Sequence, residues 1–161
     1  MRALGDVPDR VVRVYLVGGT TAVLMGWRAT TIEVDLVVRP DNDAMFRAMA
    51  GLKERLHVNI ETASPLDFIP IPAGWEERGT FIQRVGRVEF FHFDLYGQAM
   101  AKVERGHRQD LDDVRAMLQT GLISGGQAMT YFARIEPELY RFPAIDAASF
   151  RRAVEAAFRP A

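Results

Sequence analysis

Apolar and polar positions in the first forty residues follow two strand-like patterns separated by a pair of glycines. Residues 11–17, VVRVYLV, are β-branched or apolar except for Arg13, and Gly18-Gly19 ends the run with a backbone able to turn sharply. Ala22, Val23, Leu24 and Met25 then predict a short helix, with Thr20 or Thr21 as its N-cap and its end near Gly26. From residue 31 to 38 the alternation is strict: Ile32, Val34 and Leu36 face one side of a strand, and Glu33 and Asp35 face the other.

The period then lengthens. Met45, Phe46, Met49 and Leu52 form an apolar stripe, which predicts a helix over residues 41–55 with Asp41 as its cap. A strand over 57–62 should follow, with Val58 and Ile60 opposite Asn59 and Glu61. The proline-rich segment ASPLDFIPIPAGW reads as a loop that packs down through Phe68, Ile69 and Trp75. Next comes a hairpin, 81–84 and 88–94, turning at Val85-Gly86-Arg87. Beyond Tyr96 the pattern is helical: GQAMAKVERGH and QDLDDVRAML, broken near Gly106, then 127–135 and 147–158. The order predicts an α+β chain, a mixed β-sheet packed with helices. Residues 1–96 would form the α/β core, and 97–161 a helical segment packed on it in one compact domain.

Composition narrows the class. With 161 residues, 48% hydrophobic and 25% charged, the chain can bury a core of ordinary size. Its net charge of −1 gives no global attraction to nucleic acid, so any RNA partner needs a local basic patch. Having no cysteine excludes disulfides and thiolate metal sites. The start, MRALGDVPDR, lacks the apolar core of a signal peptide, and no apolar run approaches the ~20 residues needed to span a bilayer. The expectation is a cytoplasmic protein without a membrane partner.

The candidate chemistry lies at the glycines and the acidic strand. Glu33 and Asp35 stand about 7 Å apart along one strand face and repel each other unless a cation lies between them. Mg²⁺ suits such an oxygen site and completes its shell with water and phosphate. The glycine turn, leading into a helix start, could seat that phosphate. Two ordinary acids on a solvent-facing strand would give the same pattern. Glu61 lies on the polar face of its strand, and a plain surface acid accounts for it equally well. Lys102 and Arg105 share a helix face, as do Asp110 and Asp113. On their own these four fit an ion-pair network stitching two helices together, or merely solvated charged faces. His57, His92 and His107 are widely spaced and lack a paired ligand motif, so each reads as a partly buried or surface imidazole before it reads as part of a three-histidine zinc site. Phe90, Phe91 and Phe93 fit the two faces of a sheet better than a base-stacking surface.

Two segments carry a resemblance. VGGTTAVLMGWRATTIEVDL resembles the signature of the nucleotidyltransferase superfamily, with a glycine turn before a helix and an Asp-x-Asp pair on the next strand. The spacing is also similar to the head of CCA-adding polymerases, without the arginine-aspartate that follows their glycines. AKVERGHRQDLDDVRAML resembles the helical motifs of the AbiEii-like toxin nucleotidyltransferases. The resemblance implies transfer of a nucleotidyl group from a nucleoside triphosphate to an RNA, protein or small-molecule acceptor, with a cognate antitoxin as a further partner. Gly18, Gly19, Thr20, Arg28 and Lys102 would hold the nucleotide. Glu33, Asp35 and a third acid would bind Mg²⁺ or Mn²⁺. Glu61 is the first candidate for that third acid and Asp94 the second. Lys102 would contact phosphate, and Asp110 would orient it or the sugar. One position departs from the pattern: Glu33 stands where the superfamily usually has Asp, and its extra methylene shifts the oxygen by about one carbon–carbon bond where octahedral geometry is demanding. The alternative reading is therefore a catalytically silent nucleotidyltransferase-like module that binds nucleotide or a protein.

Overall fold

A computed structural model describes residues 1–159. The described chain contains a five-stranded mixed sheet and six α-helices, an α+β fold consistent with a nucleotidyltransferase-like architecture. The strands are β1 (Val12–Val17), β2 (Glu33–Arg39), β3 (Asn59–Glu61), β4 (Thr80–Val85) and β5 (Val88–His92). The helices are α1 (Gly18–Leu24), α2 (Asp43–Leu56), α3 (Leu95–Arg105), α4 (Arg108–Gln119), α5 (Gly125–Ile135) and α6 (Ala147–Phe158). The chain divides into two compact units: Met1–Ser64 with Gly79–Phe93, and Pro65–Arg78 with Asp94–Ala161.

The first unit holds the whole sheet, in the order β3-β2-β1-β5-β4. β1 runs antiparallel to β2 and parallel to β5, while β3 is parallel to β2 and β4 antiparallel to β5. Strand alternation decides which residues form the core. Val12, Val14 and Leu16 of β1, Leu36 and Val38 of β2, and Val88 and Phe90 of β5 cluster with Met45, Met49 and Leu52 of α2. The opposite face carries Tyr15 stacked on Phe91 at 5.3 Å, with the Arg13 guanidinium 5.6 Å from the Phe91 ring centre. Neighbouring phenylalanines thus serve both faces: Phe90 is buried in the core, and Phe91 lies on the other side.

Several boundaries differ from the sequence expectation, among them the second hairpin arm, which ends at His92 and not at 94 because Asp94 caps α3. α1 starts at Gly18, capped by extended Val17 and not by Thr20 or Thr21, because Gly18 takes φ +61 and turns the chain at once. Asn42, not Asp41, caps α2, its side chain accepting from the Met45 amide. β3 starts at Asn59 because His57 adopts the left-handed conformation that ends α2.

The second unit is helical. Asp94 caps α3 through the amides of Tyr96 and Gly97. Gly106 ends α3 in the left-handed conformation, and α4 follows almost immediately. α3 contacts α4, α5 and α6, and the buried set includes Met100, Val103, Val114, Met117, Phe132, Ile135, Phe150 and Val154. Segment Pro65–Arg78 belongs here and buries Ile69. Arg78 fixes its end by donating to the carbonyls of Pro72 and Ala73 and to the Asp94 carboxylate at 2.6 Å. Among the described residues no helix is long and apolar enough to cross a membrane.

Candidate active site

The residues around the glycine pair come together in the first unit. β1 and β2 are antiparallel with Val17 opposite Asp35, so the Asp35 carboxylate reaches the start of the turn. A Cβ added at Gly18 would stand 3.2 Å from Asp35 Oδ2, and φ +61 there already disfavours any other residue. A Cβ at Gly19 would meet Thr31 Oγ1 at 2.5 Å and Arg28 Nη1 at 3.4 Å. The two glycines thus let a carboxylate, a hydroxyl and a guanidinium approach the backbone of the turn.

The Ala22 carbonyl directs Arg28 to this place. It accepts from the amides of Gly26, Trp27 and Arg28, which folds the chain leaving α1 back toward the helix start. The threonines anchor the other side. Thr20 and Thr31 both donate to the Glu33 carbonyl, at 3.2 and 3.0 Å, and the Glu33 amide donates back to Thr31 Oγ1. This holds the Glu33 backbone to the glycine turn while its side chain is exposed.

Glu61 pairs with Asp35 across the parallel β2–β3 ladder, so the two side chains start from the same face. Asn59 donates to Glu61 Oε1 at 2.7 Å and orients that carboxylate. Glu61 also borders a groove of about 510 Å³ between α2 and β3, lined by Phe46, Met49, Lys53 and Ile60. Among the described residues no three His, Asp or Glu side chains stand close enough to share one metal ion. The Gly18 cradle beside Asp35, with Glu61 in register and Glu33 two residues away, still suits a cation that takes few protein ligands and completes its shell from phosphate and water.

The other predicted residues lie in the second unit. Lys102 is 4% exposed, and its ammonium donates to Asp110 Oδ1 at 2.9 Å and to Asp113 Oδ2 at 2.6 Å. Arg105 adds a bond to Asp110 at 2.7 Å. Burial pushes the Asp110 carboxyl up, but the bonds and charges of Lys102 and Arg105 outweigh it and hold the group below its ordinary value. The ion-pair network between the two helices is therefore present, with two of the three Lys102 donors inside it. Asp94 is also engaged within its unit. It accepts from Arg78 and, at 3.1 Å, from the Tyr131 hydroxyl, whose pKa is raised by burial and by Asp94 itself.

Sequence reading missed three parts of the site: the Ala22 carbonyl, Thr31 and a buried pair formed by Thr21 and His92. Thr31 left a trace, since a threonine two residues before a strand residue can bond that residue's own amide. A carbonyl hub and a cross-strand histidine leave none. No curated protein and no solved structure matches the chain. Residues 1–132, which span the whole sheet, the glycine turn, the acidic strand and the Lys102 network, match the family described as "Nucleotidyltransferase of unknown function (DUF6036)", and the chain belongs to that family.

Proposed function

We propose that the chain transfers a nucleotidyl group from a nucleoside triphosphate to an acceptor hydroxyl with the help of a divalent cation. The observation that carries this reading is the meeting of Asp35, Arg28 and the Gly18-Gly19 turn, with Glu61 in register beside Asp35. The turn and Arg28 bind the triphosphate, where the guanidinium offsets charge on phosphate oxygens. Asp35 and Glu33 would hold Mg²⁺, which would supply positive charge against the α-phosphate. Glu61, oriented by Asn59, takes the acceptor proton. The acceptor oxygen bonds to the α-phosphorus, the bond between that phosphorus and the bridging oxygen breaks, and pyrophosphate leaves with the electron pair. On this reading Lys102, Asp110 and Asp113 fasten α3 to α4, a role supported by their burial.

The test is incorporation of label from each of the four α-labelled nucleoside triphosphates into RNA and protein acceptors, with Mg²⁺ and with a chelator. Activity should require the cation and fall about 10²-fold or more in Asp35→Ala. Incorporation at the wild-type rate in Asp35→Ala would overturn the proposal. Nucleotide binding without incorporation would favour the catalytically silent alternative.

A further inference from the structure

His92 is 5% exposed, sits at the end of β5, and has no part in the chemistry proposed above. Its Cα partner on β1 is Leu16, two residues before the glycine pair. The imidazole Nδ1 lies 3.2 Å from Thr21 Oγ1, and Thr21, two residues past the glycines, is itself 1% exposed. The Thr21 hydroxyl lies 3.1 Å from the Leu16 carbonyl. A carbonyl cannot donate, so the single hydroxyl proton goes to Leu16 and the hydroxyl oxygen is left to accept. The tautomer that completes this arrangement carries its proton on Nδ1 of His92. The bonds form a closed bracket: Leu16 before the turn, Thr21 after it, and His92 on the next strand fixing the hydroxyl between them.

The turn needs such a bracket. α1 has seven residues and no side-chain cap at its start. A helix that short is not stable on its own and relies on ties to the sheet. Those ties include Thr20 to the Glu33 carbonyl and Thr21 to the Leu16 carbonyl. Burial lowers the His92 pKa, which keeps the ring neutral and so able to hold a single-donor tautomer.

We infer that His92 is a positioning residue: through Thr21 it sets α1 and the Gly18-Gly19 backbone against the end of β1. The consequence for phosphate binding rests on the function proposed above, but the mechanical claim does not. Three variants test it by amide hydrogen exchange on the full chain: His92→Leu, which removes the donor; His92→Asn, whose amide can stand near the Nδ1 position; and Thr21→Val, which leaves the imidazole in place. Losing one buried hydrogen bond should speed exchange over residues 18–24 by about tenfold in His92→Leu and in Thr21→Val. His92→Asn should restore most of the protection. The double variant His92→Leu/Thr21→Val should be no worse than either single change, because both remove the same link. Exchange over α2 should stay unchanged. Unaltered exchange over 18–24, or acceleration spread equally over α2, would overturn the inference. Calorimetric titration of wild type and variants with MgATP, MgGTP, MgCTP and MgUTP separates the two claims. Wild type that binds none of them defeats the proposed function, while exchange alone decides the role of His92.

Discussion

The two units use the same residue types in opposite ways. In the helical unit Lys102, Asp110 and Asp113 are buried and matched to one another, whereas in the sheet unit Glu33 and Glu61 are exposed and Asp35 is half-buried beside backbone without side chains. Buried ions are held in place by partners that cannot be removed one at a time without a large cost. Exposed carboxylates contribute little to folding. The contrast teaches that burial separates two charged clusters of similar composition, and it supports the proposal that places the chemistry at the exposed one.

The largest expected effect tests the structural side of this contrast. Lys102→Met leaves two carboxylates buried without their ammonium and should destabilise the protein by about 3–5 kcal/mol, measured by urea denaturation. A small change would mean that the network does not fasten the helices. Asp35→Ala should do the reverse, reducing incorporation about 10²-fold or more with little shift in melting temperature. A collapse in stability there would break the comparison.

Acid should separate the units more gently. Burial lowers the folded-state pKa of His92 below its ordinary 6.5, so the folded sheet unit favours the neutral ring. That contribution is full above about pH 6.5, and stability declines as pH falls below it, where the unfolded chain binds the extra proton. For Asp110 the folded value is depressed below 3.8, so its contribution is intact above about pH 4 and is lost only as pH falls further. The sheet unit should therefore weaken first. The two tryptophans can report this separately, because Trp27 lies in the sheet unit and Trp75 in the helical one. Denaturation of Trp75→Phe and Trp27→Phe between pH 7 and pH 4, followed by fluorescence, should show the Trp27 signal losing stability first. The smallest effect concerns the departure at Glu33. If Glu33 holds the cation at a slight offset, Glu33→Asp should raise incorporation a few-fold, and an unchanged rate would remove Glu33 from the site.

Much of the fold was legible in the sequence because apolar period is a local signal. The alternation over residues 31–38 identified the face that carries Glu33 and Asp35, and the stripe of Met45, Met49 and Leu52 identified the helix that covers the other face. The glycine turn was legible for the same reason, since few other residues tolerate φ +61. What escaped was set by contacts distant in sequence. Nothing near Lys102 shows whether it will be buried, and the two readings of its cluster share every residue. The return of Arg28 toward Gly19 includes a backbone bond to the Ala22 carbonyl, and the link between Thr21 and His92 spans 71 positions. The caps shifted by only one to four residues, because Asp41 and Asn42, or Thr20 and Val17, differ in backbone conformation more than in chemistry.

The path of the chain limits how this protein can be shortened. Pro65–Arg78 leaves the sheet unit to join helices that are synthesised later, and the chain then returns to build β4 and β5. A cut after residue 96 would keep all five strands yet strand that segment, leaving Ile69 without its helices and Arg78 without the Tyr131 ring over which it lies. A cut at residue 132, where the family match ends, would fall inside α5 and remove α6 with its buried Phe150 and Val154. A fragment meant to fold cooperatively has to extend through Phe158, and a ribosome-bound chain cannot finish the helical unit until α6 has emerged.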